Sequence, residues 1–245
     1  MTNKEKYSVT FKMDAATTAL ELSLYGPIGA DMFGDGITDA NVSAALKSAP
    51  NSYASITLRL NSPGGDLFQG VSIFNLIKSQ GKLVNVVVDG LAASAASLVA
   101  MVGDTVVMQP GSMMMVHEAM AVCLGFSADM NKMAETLDSV TSSAADVYVS
   151  STKLCKTKVL ELMKNETWMT PKEAVNLGFA TSAGTGKQAK VSNSFDLRFF
   201  KNVPEELKAE IEVAPVVAEP DVVEPEKTDP LIDILRKRVE LRKRA

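Results

Sequence analysis

Apolar and polar positions along the chain follow two periods. Ala19 to Leu24 (ALELSL) and Ser55 to Leu60 (SITLRL) alternate one for one, the pattern of strands with one buried face. The first strand follows a leading segment and is closed by the turn Tyr25-Gly26-Pro27-Ile28-Gly29. Val84 to Val88 (VNVVV) is a β-branched run that reads as a buried strand, ended by Asp89-Gly90. Asp104 to Met108 (DTVVM) and Met113 to Val116 follow as strands on either side of a turn at Gln109-Pro110-Gly111-Ser112. Between the strands the spacing changes to three and four. Thr38 to Ser48 predicts a helix capped by Thr38 or Asp39, with Val42, Ala45 and Leu46 on one face. Leu67 to Gln80 predicts another, with Val71, Phe74, Leu76 and Ile77 buried and Gly81 as its end. A third begins near Ser94 and runs through Leu98 and Met101 to Gly103. Strand, helix, strand, helix, strand, helix argues an α/β domain whose strands feed a parallel sheet.

Ser127 to Met163 reads as long helices. Met130, Met133, Leu137 and Val140 recur at three and four, a stripe that serves equally as core or as a face toward another subunit. After Thr181 the composition changes. Ala183 to Ser194 is rich in Gly, Ser and Lys and reads as loop, and Asp196 to Val203 (DLRFFKNV) is a short apolar patch expected to dock back. The chain therefore divides into a globular domain over 1–200, an acidic, Pro-rich disordered linker over 201–229, and a basic amphipathic helix over 230–245. In that helix Leu231, Ile234, Leu235, Val239 and Leu241 are interspersed with basic residues, a pattern suited to a partner groove or an acidic surface.

Composition narrows the function classes. The 245 residues are 46% hydrophobic, enough for one sizeable core plus a tail, and the formal net charge of -4 offers no field to attract nucleic acid or an anionic membrane. No stretch approaches the roughly 18 apolar residues of a membrane span, and the polar start MTNKEKYS is unlike a signal peptide, so the expected location is the cytoplasm. Cys123 and Cys155 lie too far apart for a Cys-x-x-Cys site, and one histidine removes most zinc arrangements. Free thiols, no metal and no cofactor are expected.

The candidate chemistry centres on Ser94. A serine just after a strand, in the first turn of a helix, has backbone N–H groups nearby that lack an intrahelical partner and can stabilise an oxyanion. If an imidazole activates it, that imidazole is His117, the only histidine. Upstream, Asn61-Ser62-Pro63-Gly64-Gly65 follows a strand, and its two glycines permit positive φ and close backbone approach to a ligand.

LNSPGGD (Leu60 to Asp66), GLAASAA (Gly90 to Ala96), MMMVHEAM (Met113 to Met120) and ETWMTPKEAVNLGFAT (Glu166 to Thr181), in that order, resemble the ClpP-like (Clp peptidase) serine proteases. The resemblance spans about Leu20 to Thr181. It implies a spiral of repeated β-β-α units with a helical handle, the scaffold that crotonases share. It also implies a protein or peptide substrate and a homo-oligomeric ring. For the site it implies Ser94 as nucleophile, His117 as general base, and the N–H groups of Gly65 and Ala95 as oxyanion donors. Where the family carries Asp as third member this chain has Glu166, with Asn165 in reserve and an acid-free Ser-His dyad as the remaining option.

The ETW segment and the long C-terminal extension resemble the phage and prophage members, which process capsid or scaffold proteins. The extension would then contact such a protein, in the bacterial cytoplasm or inside an assembling prohead. The usual N-terminal sequence for docking an AAA+ unfoldase is not recognisable, so dependence on an ATPase stays open. Three other readings stand beside this one. They are a serine-lysine dyad using Lys78 or Lys82, a crotonase-type acyl-CoA enzyme, and a non-enzymatic assembly protein on the same fold.

Overall fold

The fold is given by a computed structural model that describes residues 8–14, 18–30, 36–50, 52–185, 195–205 and 207. The chain divides into two units, residues 1–213 and 214–245, and every described residue belongs to the first. Most of the expected 201–229 linker, all of the expected 230–245 helix, and residues 186–194 of the expected loop lie outside the described residues.

Among the described residues there are eight strands and six helices. They are β1 (Ser8–Asp14), β2 (Ala19–Tyr25), α1 (Asp39–Ser48), β3 (Ser55–Ser62), α2 (Leu67–Lys78), β4 (Leu83–Ala93), α3 (Ala95–Ala100), β5 (Thr105–Met108), β6 (Met113–Val116), α4 (Ser127–Thr152), α5 (Lys156–Lys164), β7 (Thr167–Met169), α6 (Pro171–Leu177) and β8 (Ser182–Ala183). One mixed sheet holds them in the order β1-β2-β3-β4-β5-β8, with β6 pairing β4 and β7. The expected α/β architecture is the observed one.

The register explains the core. Parallel pairing puts Leu20 beside Ile56 and Ile56 beside Val84, Leu22 beside Leu58 and Leu58 beside Val86, and Leu24 beside Leu60 and Leu60 beside Val88. Because side chains alternate between faces, these rows form one continuous apolar surface, and all nine residues are buried. Val42, Ala45 and Leu46 of α1 and Ile73 and Ile77 of α2 pack into the same core. Each of the Val, Leu and Ile side chains contributes roughly 1.5–3 kcal/mol when removed from water. In α2 the fully buried positions are Gly70, Ile73 and Ile77, while Val71, Phe74 and Leu76 are only partly covered.

Local signals set the helix ends. Thr38 Oγ1 accepts the Asn41 N–H at 3.2 Å to open α1, and Asp66 Oδ1 accepts that of Gln69 at 3.0 Å to open α2. Thr170 and Glu173 make a reciprocal capping box at the start of α6, with Pro171 in its first turn and Gly178 at φ +81° after its end.

Four expectations are corrected. β1 is a strand where only a leading segment was read, and it pairs antiparallel with β2. α3 ends at Ala100 and α2 at Lys78, each short of the predicted end. Asp89-Gly90 does not end β4, which runs on to Ala93. The strand changes neighbour there instead: Asn85 to Val88 pair with β5, and Leu91 to Ala93 pair with β6. Asp89 is tolerated inside the strand because its carboxylate, 2% exposed, is paired with Arg59 and accepts the Tyr25 hydroxyl at 2.7 Å.

α4 spans 26 residues, and its buried positions, from Thr141 to Thr152, all lie in its second half. In this chain by itself the Met130, Met133, Leu137 and Val140 stripe is therefore not closed into the core, and Met130 is exposed.

Candidate active site

Ser94 and His117 meet because two parallel strands deliver them side by side. Ala93 lies opposite Met115 in the β4–β6 register, and the Ser94 N–H continues that ladder to the Met115 carbonyl at 2.9 Å. Ser94 then follows the end of β4 and His117 follows the end of β6, so both residues sit at the C-terminal ends of two neighbouring parallel strands. His117 Nε2 and Ser94 Oγ are 2.7 Å apart.

The strand-to-helix elbow at Ser94 is sharp. Its backbone has φ +53° and ψ -125°, a region costly for a residue with a Cβ, on the order of 1–3 kcal/mol. The surroundings hold it there. The Ser94 carbonyl accepts the Ser97 N–H at 2.9 Å and the Ser97 hydroxyl at 2.6 Å, and Ser97 Oγ lies 2.8 Å from the buried Tyr148 hydroxyl. Burial pushes the Tyr148 phenol up to about 12, so it stays a neutral donor.

The Ser62-Pro63-Gly64-Gly65 loop closes over this elbow. At Gly64, φ +88°, an added Cβ would lie 2.5 Å from the Ala93 oxygen and 2.7 Å from Ser94 Cβ, so only glycine permits the approach. Gly65 bridges Ile28 through flanking groups: the Ile28 N–H donates to the Gly64 carbonyl and the Asp66 N–H to the Ile28 carbonyl. The Gly65 N–H itself stays outside that bridge. The Ala95 N–H, in the first turn of α3, has no intrahelical acceptor.

Gly65, Ser94, Ala95 and His117 line one cavity of about 430 Å³, whose lining also includes Met133, Leu137 and Val140 of α4. Burial lowers the His117 pKa below its ordinary value, against upward pulls from Glu166 and Glu118. A neutral ring can accept a proton at Nε2, which requires the tautomer with hydrogen on Nδ1.

The structure does not bring Glu166 to His117 by hydrogen bond. Its Oε2 accepts the Lys201 N–H at 2.9 Å, and its Oε1 accepts the Asn202 N–H at 2.7 Å and the Trp168 indole at 3.3 Å. Asn165 does not reach the imidazole either; it caps α5, and its carbonyl accepts the Asn202 side-chain amide at 2.9 Å. What touches the ring instead is Phe200, edge-on with centroids 5.6 Å apart. The expected docking of Asp196 to Val203 is observed, with Leu197 and Val203 buried against Leu91, Ala93 and Met115. Neither Lys78, at the end of α2, nor Lys82, over the Tyr53 ring, lines the cavity.

The sequence profile of the Clp protease family matches residues 34–186, which include Gly65, Ser94, Ala95, His117 and Glu166. The chain belongs to the Clp protease family. This is a family of serine peptidases whose members assemble as rings and act on proteins. The chain is 27% identical over 135 residues to the ATP-dependent Clp protease proteolytic subunit of Deinococcus radiodurans, covering 54% of this chain and 66% of that one. It is 27% identical over 155 residues to ATP-dependent Clp protease proteolytic subunit 1 of Chlamydia abortus, covering 60% of this chain and 81% of that one. A solved structure of the ClpP1 N165D mutant from Listeria monocytogenes superposes with a TM-score of 0.58 over 68% of this chain and 92% of that one. At 20% identity, that likeness is one of fold.

Phe195 to Val203 lies beyond the profile's last matched residue. Among the described residues, no group of His, Cys, Asp and Glu could hold a metal ion, and no helix is long and apolar enough to cross a membrane. Cys123 and Cys155 are free thiols.

Proposed function

We propose that this chain is a serine endopeptidase in which Ser94 attacks the peptide carbonyl and His117 takes its proton. The observation that carries this reading is the 2.7 Å contact between His117 Nε2 and Ser94 Oγ in the lining of a cavity that Gly65 and Ala95 also line. The N–H groups of those two residues hold the oxyanion of the tetrahedral intermediate. The protonated His117 then gives its proton to the leaving amine, and water repeats the sequence on the acyl-enzyme. Glu166 supplies negative charge near the imidazolium rather than a hydrogen bond to it, so the working pair is closer to a dyad than to a Ser-His-acid triad.

The active form is a ring of identical chains. Val122, Leu124 and Phe126, at 98%, 100% and 87% exposure, form an apolar stretch between His117 and α4 that a neighbouring subunit would cover. The substrate is a protein; the likeness of the ETW segment and tail to phage-type members supports a capsid or scaffold protein, cut in the bacterial cytoplasm or within a prohead.

Treatment with a fluorophosphonate tests the reading. The wild-type chain and Ser97→Ala label covalently and Ser94→Ala does not; equal labelling of Ser94→Ala would reject Ser94 as the nucleophile. Retention of an intact ring with no labelling of any form would point to an assembly protein on this fold.

A further inference from the structure

A triad acid holds its histidine by a hydrogen bond, and Glu166 has both carboxylate oxygens committed elsewhere. They fasten the Lys201 and Asn202 N–H groups, and the Asn202 side chain is fastened in turn to the Asn165 carbonyl. The residue immediately before that clamp is Phe200. Its ring stands edge-on to His117, with centroids 5.6 Å apart and planes at 75°, and edge-on to Trp168 at 5.8 Å and 80°. Leu197 and Val203, on either side, are buried against Leu91, Ala93 and Met115 of the strands that deliver Ser94 and His117. The segment is thus anchored at both ends, with its aromatic ring on the imidazole.

The His117 side chain makes one hydrogen bond among the described residues, to Ser94. One bond leaves an imidazole free to swing about its Cβ–Cγ axis, and a nucleophile pair works only when the ring is held at the productive angle. An edge-to-face aromatic contact restricts that swing, since such pairs prefer defined geometry.

We propose that Phe200 is a positioning residue for His117, and that Glu166, besides the charge it places near the ring, orients the imidazole through the clamped segment that carries Phe200. The inference rests on the reading of Ser94 and His117 as nucleophile and base. It gives the segment after the family-matched region a part in the reaction. It also assigns the longer acid at position 166 a task, reaching the Lys201 and Asn202 amides.

The test uses the full chain and the kinetics of fluorophosphonate labelling, which separate the maximal acylation rate from the half-saturating concentration. Phe200→Ala lowers the maximal rate by ~10-fold or more with half-saturation within about twofold, as expected of lost orientation rather than lost binding. Phe200→Tyr keeps the ring edge and restores the rate, while Phe200→Leu keeps only apolar bulk and does not. Glu166→Ala falls by a similar factor, and the double variant Glu166→Ala/Phe200→Ala falls no further than the worse single variant, because both break one chain of contacts.

An unchanged rate in Phe200→Ala overturns the proposal, as does rescue by Phe200→Leu equal to that by Phe200→Tyr, or losses that multiply in the double variant. If Phe200→Ala does not fold, the Leu and Tyr variants carry the comparison. Labelling of Ser94→Ala would mean the site has been misread, whereas a silent Phe200 in a protein that Ser94→Ala inactivates counts against Phe200 alone.

Discussion

Asn61 Oδ1 accepts the backbone N–H of Leu91 at 3.0 Å, across the point where β3 and β4 lose register. Leu60 faces Val88, but Ser62 faces Ala92, so β4 carries extra chain there and its ladder is interrupted. The Asn61 side chain supplies the acceptor that the partner strand cannot. The same irregularity brings the Ser62 to Gly65 loop over Ser94, so the amide tie serves both the sheet and the site.

Asn61→Ala leaves the buried Leu91 N–H without a partner. The expected loss is about 1–3 kcal/mol of stability, with slower fluorophosphonate labelling because the loop and the elbow are no longer tied. Asn61→Asp retains an acceptor and should lose less than the alanine variant. Denaturant midpoints measured beside labelling rates check both; equal stability of wild type and Asn61→Ala would refute the assignment.

Gly64→Ala meets the Ala93 oxygen at 2.5 Å in a backbone conformation unsuited to alanine, so the loop must move off Ser94. Displacing an oxyanion donor should slow labelling by ~10²–10³. Gly81→Ala is the control, since its φ of +61° is also positive but no atom lies within 4 Å of the added carbon. It should cost about 1 kcal/mol of stability and leave labelling unchanged.

Burial lowers the His117 pKa, so the neutral, proton-accepting ring persists below pH 6.5, the ordinary midpoint. The acid limb of the labelling rate should therefore have its midpoint below 6.5. Glu166 pulls this pKa upward, so Glu166→Gln should move the midpoint lower still. A pH profile of both proteins decides it, and a midpoint that rises in Glu166→Gln would contradict the charge assignment.

The parts of the fold that follow from alternation were readable beforehand. Leu20, Leu22 and Leu24 against Ile56, Leu58 and Leu60 need only a two-residue period to share a face. Val9, Phe11 and Met13 carry the same alternation, but next to an uncharacterised start they read as a leading segment, and only pairing with β2 identifies β1. Asp89-Gly90 looked like a strand end because a charged residue inside a buried strand needs partners, and Arg59 and Tyr25 lie 30 and 64 positions away. The pairing of Ser94 with His117 is legible from the single histidine and from the order of family motifs, not from their spacing. The diversion of Glu166 was not accessible at all, because its acceptors' partners are the backbone amides of Lys201 and Asn202, which leave no signature in side-chain identity. Phe200 was visible within an apolar patch, but nothing in DLRFFKNV says which surface it covers.

Ser97 and Tyr148 provide a last test, one that separates support of the elbow from the chemistry. The Ser97 hydroxyl has one hydrogen, and it donates this to the Ser94 carbonyl at 2.6 Å, so in the 2.8 Å pair the Tyr148 hydroxyl is the donor. Tyr148→Phe removes one buried donor and leaves Ser97 still bonded to Ser94, at a cost of about 0.5–1.5 kcal/mol. Ser97→Ala removes the shared oxygen and strands the buried Tyr148 hydroxyl, which costs more, about 1–3 kcal/mol. The double variant should recover part of that difference, since no unpaired hydroxyl remains. All three should still label at Ser94, because the Ser97 and Leu98 N–H groups continue to hold its carbonyl. Denaturation curves with Tyr148→Phe less stable than Ser97→Ala would contradict this order of costs, and loss of labelling in Ser97→Ala would place that hydroxyl in the reaction itself.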